Sequence, residues 1–279
     1  MNIILAKTAG FCFGVKRAVR MAKELEGMEN VYTLGPLIHN RHVTEELAEK
    51  GIRAVSDIDS LKAGDTVIIR SHGVARYVYE RLEEKGVTVV DATCPFVEKI
   101  HRYVDEMSRE GRKIIIIGDR DHPEVAGTKG WCLNDVFIVS GEEDISALPI
   151  KENEKVAVVA QTTFNYKRFK ELVEIILLKG YDSVYLGTVC NATRMRQEEA
   201  IDIASKADGM IVVGDSESSN SRKLYEVCRK ICKSTFFITK LDDLQHTDIG
   251  PLQNVGITAG ASTPENLIEE VQTYVRTEF

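Results

Sequence analysis

Long apolar runs are missing from this 279-residue sequence, and no stretch approaches the roughly 18 residues that a membrane-spanning helix needs. Before Lys7 there is only a short apolar run, with no small-residue cleavage site behind it, so no export signal is read and a cytoplasmic chain is the expectation. An excess of positive charge is missing too. The net charge of −7 counts against a general nucleic-acid binder, while leaving room for a local cationic pocket. No Pro/Gly/Ser-rich linker or low-complexity tract interrupts the chain, so its parts are expected to pack together. Nor is there a C-x-x-C pair. Six cysteines in a chain this long and not visibly exported argue for reduced thiols, or for a metal centre whose ligands the fold assembles, over a disulfide framework.

What is present is an ordinary globular composition, 43% hydrophobic and 28% charged, sufficient for two or three units with cores of their own. Three cysteines mark the units. In Asp91-Ala92-Thr93-Cys94-Pro95-Phe96-Val97 an apolar strand ends, a cysteine follows, and proline opens a helix. The same order recurs at Gly10-Phe11-Cys12 and at Thr188-Val189-Cys190, with the helices read over 15–25, 97–110 and from about 196 to 206. A sulfur at a helix N-terminus is favoured as thiolate, which suits a metal ligand or a nucleophile. The three stand 82 and then 96 residues apart, which reads as three similar units over 1–94, 95–190 and 191–279.

Each unit continues with a strand ending in glycine (31–35, 113–118, 210–214) and then a polar loop. These loops are Leu37-Ile38-His39-Asn40, His122-Pro123-Glu124 and Ser218-Ser219-Asn220-Ser221. A short strand, an acidic connection and a further strand lead to a second set of loops: Ser71-His72-Gly73, Gln161-Thr162-Thr163 and Ala259-Gly260-Ala261-Ser262. The third unit lacks a closing strand, and the strand before Cys12 is available to supply it. Strands alternating with helices at this spacing mean α/β units, each a small, mostly parallel sheet with crossover helices. Ligands bind such sheets beyond the carboxyl ends of the strands. With pseudo-threefold packing, three cysteines and six polar loops would face one centre.

Three thiolates without a fourth leave a metal with an open position, as at a reactive site, and both a catalytic zinc and an iron–sulfur cluster accept such ligands. His39, His72 and His122 can donate to phosphate oxygens, and Ser218, Ser219, Asn220 and Ser262 stand near helix starts that favour anions. Together they suit a small phosphorylated or diphosphorylated ligand, although serine and asparagine at such positions are more often plain helix caps. Glu124, the one carboxylate in these loops, could deliver protons if held away from water. Cys132, Cys228 and Cys232 are read as core residues, and His42, His101 and His246 as structural or exposed. The cations Lys16, Arg17, Arg20 and Lys23 are read as the solvated face of an amphipathic helix.

The motifs together, from Gly10-Phe11-Cys12-Phe13-Gly14-Val15 through Asp91-Ala92-Thr93-Cys94-Pro95 to Thr258-Ala259-Gly260-Ala261-Ser262, resemble the 4-hydroxy-3-methylbut-2-enyl diphosphate reductase family, also called IspH or LytB. The resemblance implies three lobes around a central 4Fe-4S cluster, held by Cys12, Cys94 and Cys190 with one iron open to substrate. It implies the last step of the non-mevalonate isoprenoid pathway, in which two electrons and two protons remove an allylic hydroxyl as water. His39, His72, His122, Ser218, Ser219, Asn220 and Ser262 would grip the diphosphate, Thr162 would contact the substrate hydroxyl and Glu124 would give the proton, with Thr193 a neighbour in the relay. A ferredoxin or flavodoxin would supply electrons. Two rivals remain open on the residues alone: a zinc hydrolase with three thiolate ligands and Glu124 as base, and a three-lobed sugar- or phosphate-binding module with buried structural cysteines.

Overall fold

A computed structural model describes residues 1–245 and 249–278, so His246 lies outside the described residues. Twelve strands are described: β1 (Asn2–Leu5), β2 (Val31–Leu34), β3 (Arg53–Val55), β4 (Thr66–Ile69), β5 (Thr88–Asp91), β6 (Lys113–Ile117), β7 (Val136–Val139), β8 (Lys155–Ala160), β9 (Asp182–Tyr185), β10 (Gly209–Val213), β11 (Thr235–Ile238) and β12 (Asn254–Ala259). The helices are α1 (Phe13–Lys23), α2 (Arg41–Glu49), α3 (Arg76–Glu84), α4 (Pro95–Arg109), α5 (Pro123–Lys129), α6 (Glu142–Ser146), α7 (Tyr166–Leu177), α8 (Asn191–Ala204), α9 (Ser219–Ile231), α10 (Asp242–Gln245) and α11 (Glu265–Glu278).

The strands form three four-stranded sheets, ordered β3-β2-β4-β5, β7-β6-β8-β9 and β11-β10-β12-β1, and every pairing is parallel. The order is the same each time once β1 is counted as the last strand of the third sheet. There it pairs with β12 in the register Ile3 to Val255 and Leu5 to Ile257.

Buried parallel strands divide their side chains between two cores, because successive residues point to opposite faces. In β6, Ile115 and Ile117 join Phe169, Leu172 and Ile176 of α7, while Ile114 and Ile116 join Ile100 and Val104 of α4. In β10, Ile211 and Val213 meet Val271 and Val275 of α11, and Met210 and Val212 meet Ala200, Leu224 and Cys228. In the first sheet Val67 and Ile69 pack on Val78 and Leu82 of α3.

Internal contacts divide the chain into two units. One comprises Met1–Lys16, His39–Val43 and Asn191–Phe279 and contains the third sheet; the other comprises Arg17–Ile38 and Thr44–Cys190 and contains the first two.

The acidic connections turn out to be short helical turns. The Asp57 carboxylate accepts from the amides of Asp59 and Ser60, starting the turn at Ile58–Ser60. Asp144 accepts from Ser140 and Gly141 at the start of α6, and Asp243 from Thr239 and Lys240 at the start of α10. Carboxylates satisfy the otherwise orphaned amides of a first turn.

Candidate active site

Each marked cysteine immediately precedes the first residue of a helix: Cys12 before α1, Cys94 before α4 and Cys190 before α8. Each backbone amide donates to the loop beyond the adjacent strand of the same sheet. Cys12 donates to the Ala261 carbonyl at 3.2 Å, Cys94 to Ser71 at 3.0 Å and Cys190 to Thr162 at 3.0 Å. All three thiols are reduced and half-buried. The remaining cysteines have other surroundings. Cys228 and Cys232 are buried in the core beside α8 and α9, Cys132 packs at the edge of the core behind β6, and burial pushes the Cys132 and Cys228 thiols up to about 12.

In the first unit the structure brings together Cys12, His39 and the serine and asparagine residues. Ser218 caps α9, its Oγ accepting from the Ser221 amide at 3.3 Å. Its hydroxyl also stands 3.2 Å from that of Ser262, which donates to the His39 carbonyl at 2.9 Å. The Asn220 side-chain oxygen accepts from the Ala261 amide at 2.8 Å, in the loop whose carbonyl receives Cys12. Ser219 and Asn220 are buried within the first turn of α9. Close packing of this turn requires glycine at position 260, where a Cβ would lie 2.0 Å from the Ser221 hydroxyl. The cap reading of Ser218 is thus correct, and capping leaves its oxygen beside Ser262.

The second unit brings together His72, His122, Glu124, Thr162, Cys94 and Cys190. His122 caps α5, its Nδ1 accepting from the Glu124 amide at 3.1 Å, which leaves the proton of a neutral ring on Nε2. The His72 and His122 rings meet edge to face with centroids 5.6 Å apart. Glu124 is 2% exposed. Its carboxylate accepts from the Thr162 amide at 2.5 Å and from the Thr162 hydroxyl at 2.6 Å. Burial pushes its pKa up to about 7 against the lowering effect of the two Thr162 bonds. Gly73 takes φ +67°, and a Cβ there would stand 2.6 Å from His101. His101, stacked on Trp131 at 5.2 Å, is a buried ring that desolvation holds neutral, with its pKa down to about 4. It backs the loop carrying His72 and is structural, whereas His42 is exposed.

Two arginines escaped the sequence reading. Arg17 is not a solvated cation: its guanidinium donates to the carbonyls of Thr93 at 3.0 Å and Asp91 at 3.3 Å, just before Cys94. Arg196, 3% exposed, does the same before Cys12, donating to Thr8 at 2.5 Å and Gly10 at 2.6 Å. Glu199 holds the other side of that turn through the amides of Lys7 and Thr8, both at 2.9 Å. Helix α8 begins at Asn191 and not near residue 196, because Thr193, Arg196 and Gln197 occupy its buried face and interrupt the apolar period. The available signal was a cation five or six residues after each marked cysteine, Arg17, Lys99 and Arg196, of which two are arginines turned onto backbone carbonyls.

The profile of the LytB protein family matches residues 3–276. The chain belongs to the LytB family. Among the family's curated members, the 4-hydroxy-3-methylbut-2-enyl diphosphate reductase of Caldanaerobacter subterraneus is 44% identical over 276 residues, 97% of this chain and 95% of that one. The protein of the same name from Clostridioides difficile is 44% identical over 277 residues, 99% of each. Among solved structures, the E-1-hydroxy-2-methyl-but-2-enyl-4-diphosphate reductase of Plasmodium falciparum superposes with a TM-score of 0.93 at 29% identity, over 99% of this chain and 88% of that one. A second, an (E)-4-hydroxy-3-methyl-but-2-enyl diphosphate reductase described as the terminal enzyme of the non-mevalonate pathway, gives 0.70 at 42% identity over 99% of both chains. LytB membership accords with the three α/β sheets, and no described helix is long and apolar enough to cross a membrane.

Proposed function

We propose that this LytB-family chain reduces (E)-4-hydroxy-3-methylbut-2-enyl diphosphate. Two electrons and two protons enter, the allylic C–O bond breaks, and isopentenyl or dimethylallyl diphosphate leaves with one water. The names of relatives matching nearly the whole chain support this substrate. The observation that carries the reading is Glu124, a buried carboxyl with a pKa near 7 whose two oxygens are both held by Thr162. Such a group can carry a proton at neutral pH and release it when charge develops beside it.

Cys12, Cys94 and Cys190 are assigned one 4Fe-4S cluster with an open iron. Their chemistry fits: all three are reduced, half-buried and at matching helix starts, and each is tied by its amide to a neighbouring loop. When bound, the cluster supplies electrons and a Lewis-acidic iron for the substrate hydroxyl. The protein does the rest. His39, His72, His122, Ser218, Ser219, Asn220 and Ser262 bind and orient the diphosphate. The Thr162 hydroxyl contacts the substrate hydroxyl, and Glu124 gives the proton that turns this hydroxyl into leaving water. A ferredoxin or flavodoxin is the assigned electron donor, the cytoplasm the assigned compartment, and 1–94, 95–190 and 191–279 the assigned lobes.

Glu124→Gln tests the reading. The amide keeps the shape and cannot give the proton, so substrate affinity is expected to hold while kcat falls about 100-fold or more. Full activity in this variant removes Glu124 as the donor.

A further inference from the structure

We propose that a cavity of about 530 Å³ in the second unit is a separate binding site for a small organic phosphate monoester. It contains none of the residues assigned above to cluster or substrate, and its existence does not depend on the reductase reading. Its walls come from the end of β2, the Ile58–Ser60 turn, the start of α3 and one side of α5. Leu34, Ile58, Val74 and Val78 make part of the lining apolar, and the half-exposed Tyr77 stands at its rim. The volume lies in the range that small-molecule pockets occupy.

The charges single out the ligand. Arg70 lines the cavity, and its Nε is buried with no hydrogen-bond partner among the described residues. Burial lowers its pKa, and no carboxylate offsets the effect. The backbone makes room for this guanidinium: Gly35 takes φ +71°, and a Cβ there would lie 2.6 Å from an Arg70 Nη. Leaving a charged donor desolvated and unmatched is costly, so such a group marks a place where a ligand supplies the acceptor.

The acids lining the cavity are already engaged. Asp57 caps the Ile58–Ser60 turn, and Asp59 pairs with Arg81 at 2.5 Å and with Lys85 at 3.8 Å. Among the described residues, Arg70 and Lys129 have no carboxylate within ion-pair distance and remain as the cations of the lining. Two cations beside an apolar wall match a dianionic phosphate on an apolar body better than a singly charged carboxylate, and arginine presents a fork that suits phosphate oxygens. An occupant would touch two elements that matter elsewhere. Arg70 directly precedes Ser71 and His72, and α5 carries Glu124. Ligand here and substrate would therefore influence each other's affinity, by the reciprocity of linked binding.

The test is calorimetric titration of phenyl phosphate into anaerobically prepared, metal-loaded protein. Wild type and Asn220→Ala, a lesion in the assigned diphosphate site, are each expected to bind one equivalent with like affinity. Arg70→Met is expected to weaken binding by about tenfold or more, with Arg70→Lys intermediate. Benzoate and inorganic phosphate are expected to bind more weakly, lacking respectively the second charge and the apolar body. Arg70→Met should melt no lower than wild type, since it removes a half-buried cation whose Nε is unmatched; if it does not fold, Lys129→Met serves, with about threefold weaker binding expected. Unchanged affinity in both cation variants, loss of binding in Asn220→Ala alone, benzoate binding as tightly as phenyl phosphate, or no binding at millimolar probe would each overturn the proposal. Loss of reductase activity in Asn220→Ala would bear only on the function proposed above.

Discussion

Glu124 sets the pH behaviour at the scale of single residues. Its pKa is raised in the folded state to about 7 from an ordinary 4.5, with desolvation as the leading cause. A raised carboxyl favours folding fully below the unfolded value, and that contribution is lost as pH rises through about 7. The shift corresponds to about 3 kcal/mol between those limits, as an order of magnitude. Glu124→Gln removes this dependence, so urea midpoints at pH 5.5 and 8.5 should lie closer together in the variant than in wild type. Equal pH responses in both proteins would contradict the burial argument. The catalytic consequence has the same sign: activity limited by the protonated carboxyl should decline as pH rises above about 7. Nothing in the sequence reveals that Thr162 takes both oxygens of this carboxylate, because the two residues stand 38 positions apart. Legible were the polar loops that carry Glu124 and Thr162 and the fitness of a shielded carboxyl there to carry a proton, but not the pairing of the two.

The strand-cysteine-helix junction is the recurring element. An arginine holds the turn before Cys12 and another the turn before Cys94, in each case by donating to two carbonyls. Arg196→Met leaves the Thr8 and Gly10 carbonyls without their charged donor, and is expected to cost about 2–3 kcal/mol. Because Arg196 acts by positioning the Cys12 turn, iron content should fall in the variant and recover in part with Arg196→Lys; urea unfolding and iron analysis measure the two effects. Unaltered stability together with full iron would exclude the positioning role. These junctions were readable because an apolar strand, a cysteine and the helix that follows leave a local imprint. The arginines were not. A cation on a helix alternating with Val15, Ala18, Val19 and Ala22 looks solvated, and only tertiary structure shows that Arg17 reaches the Asp91 and Thr93 carbonyls. In α8 the residue buried in the first turn is the polar Thr193, with no buried apolar residue to mark the core face there, which hid that turn.

For the whole molecule, the same four-strand order appears three times, and the N-terminal strand closes the third sheet. The repeat was legible from the order of strands, loops and helices, and the missing closing strand of the last unit pointed to β1. Deleting residues 1–5 should therefore destabilise the third sheet, exposing the edge of β12 with Val255 and Ile257, at a cost of roughly 3 kcal/mol or more. A denaturation curve unchanged from wild type would show that β1 contributes nothing. What could not be read was the division of the chain by internal contacts, in which His39–Val43 falls with the third sheet and the remainder of 17–190 forms the other unit. That grouping depends on long-range contacts such as the Ser262 hydroxyl on the His39 carbonyl, across 223 residues.

The reaction proposed for this LytB chain is reduction of an allylic hydroxyl through a cluster on Cys12, Cys94 and Cys190. Its most direct test is an anaerobic single-turnover reaction, with iron and sulfide content measured on the same sample. Two electrons are expected to be consumed per (E)-4-hydroxy-3-methylbut-2-enyl diphosphate, giving five-carbon diphosphate products lacking the hydroxyl, with both the reaction and the cluster lost in Cys94→Ser. Protein loaded with zinc and free of iron and sulfide, or fully iron-loaded protein that consumes no reductant with this substrate, would contradict it.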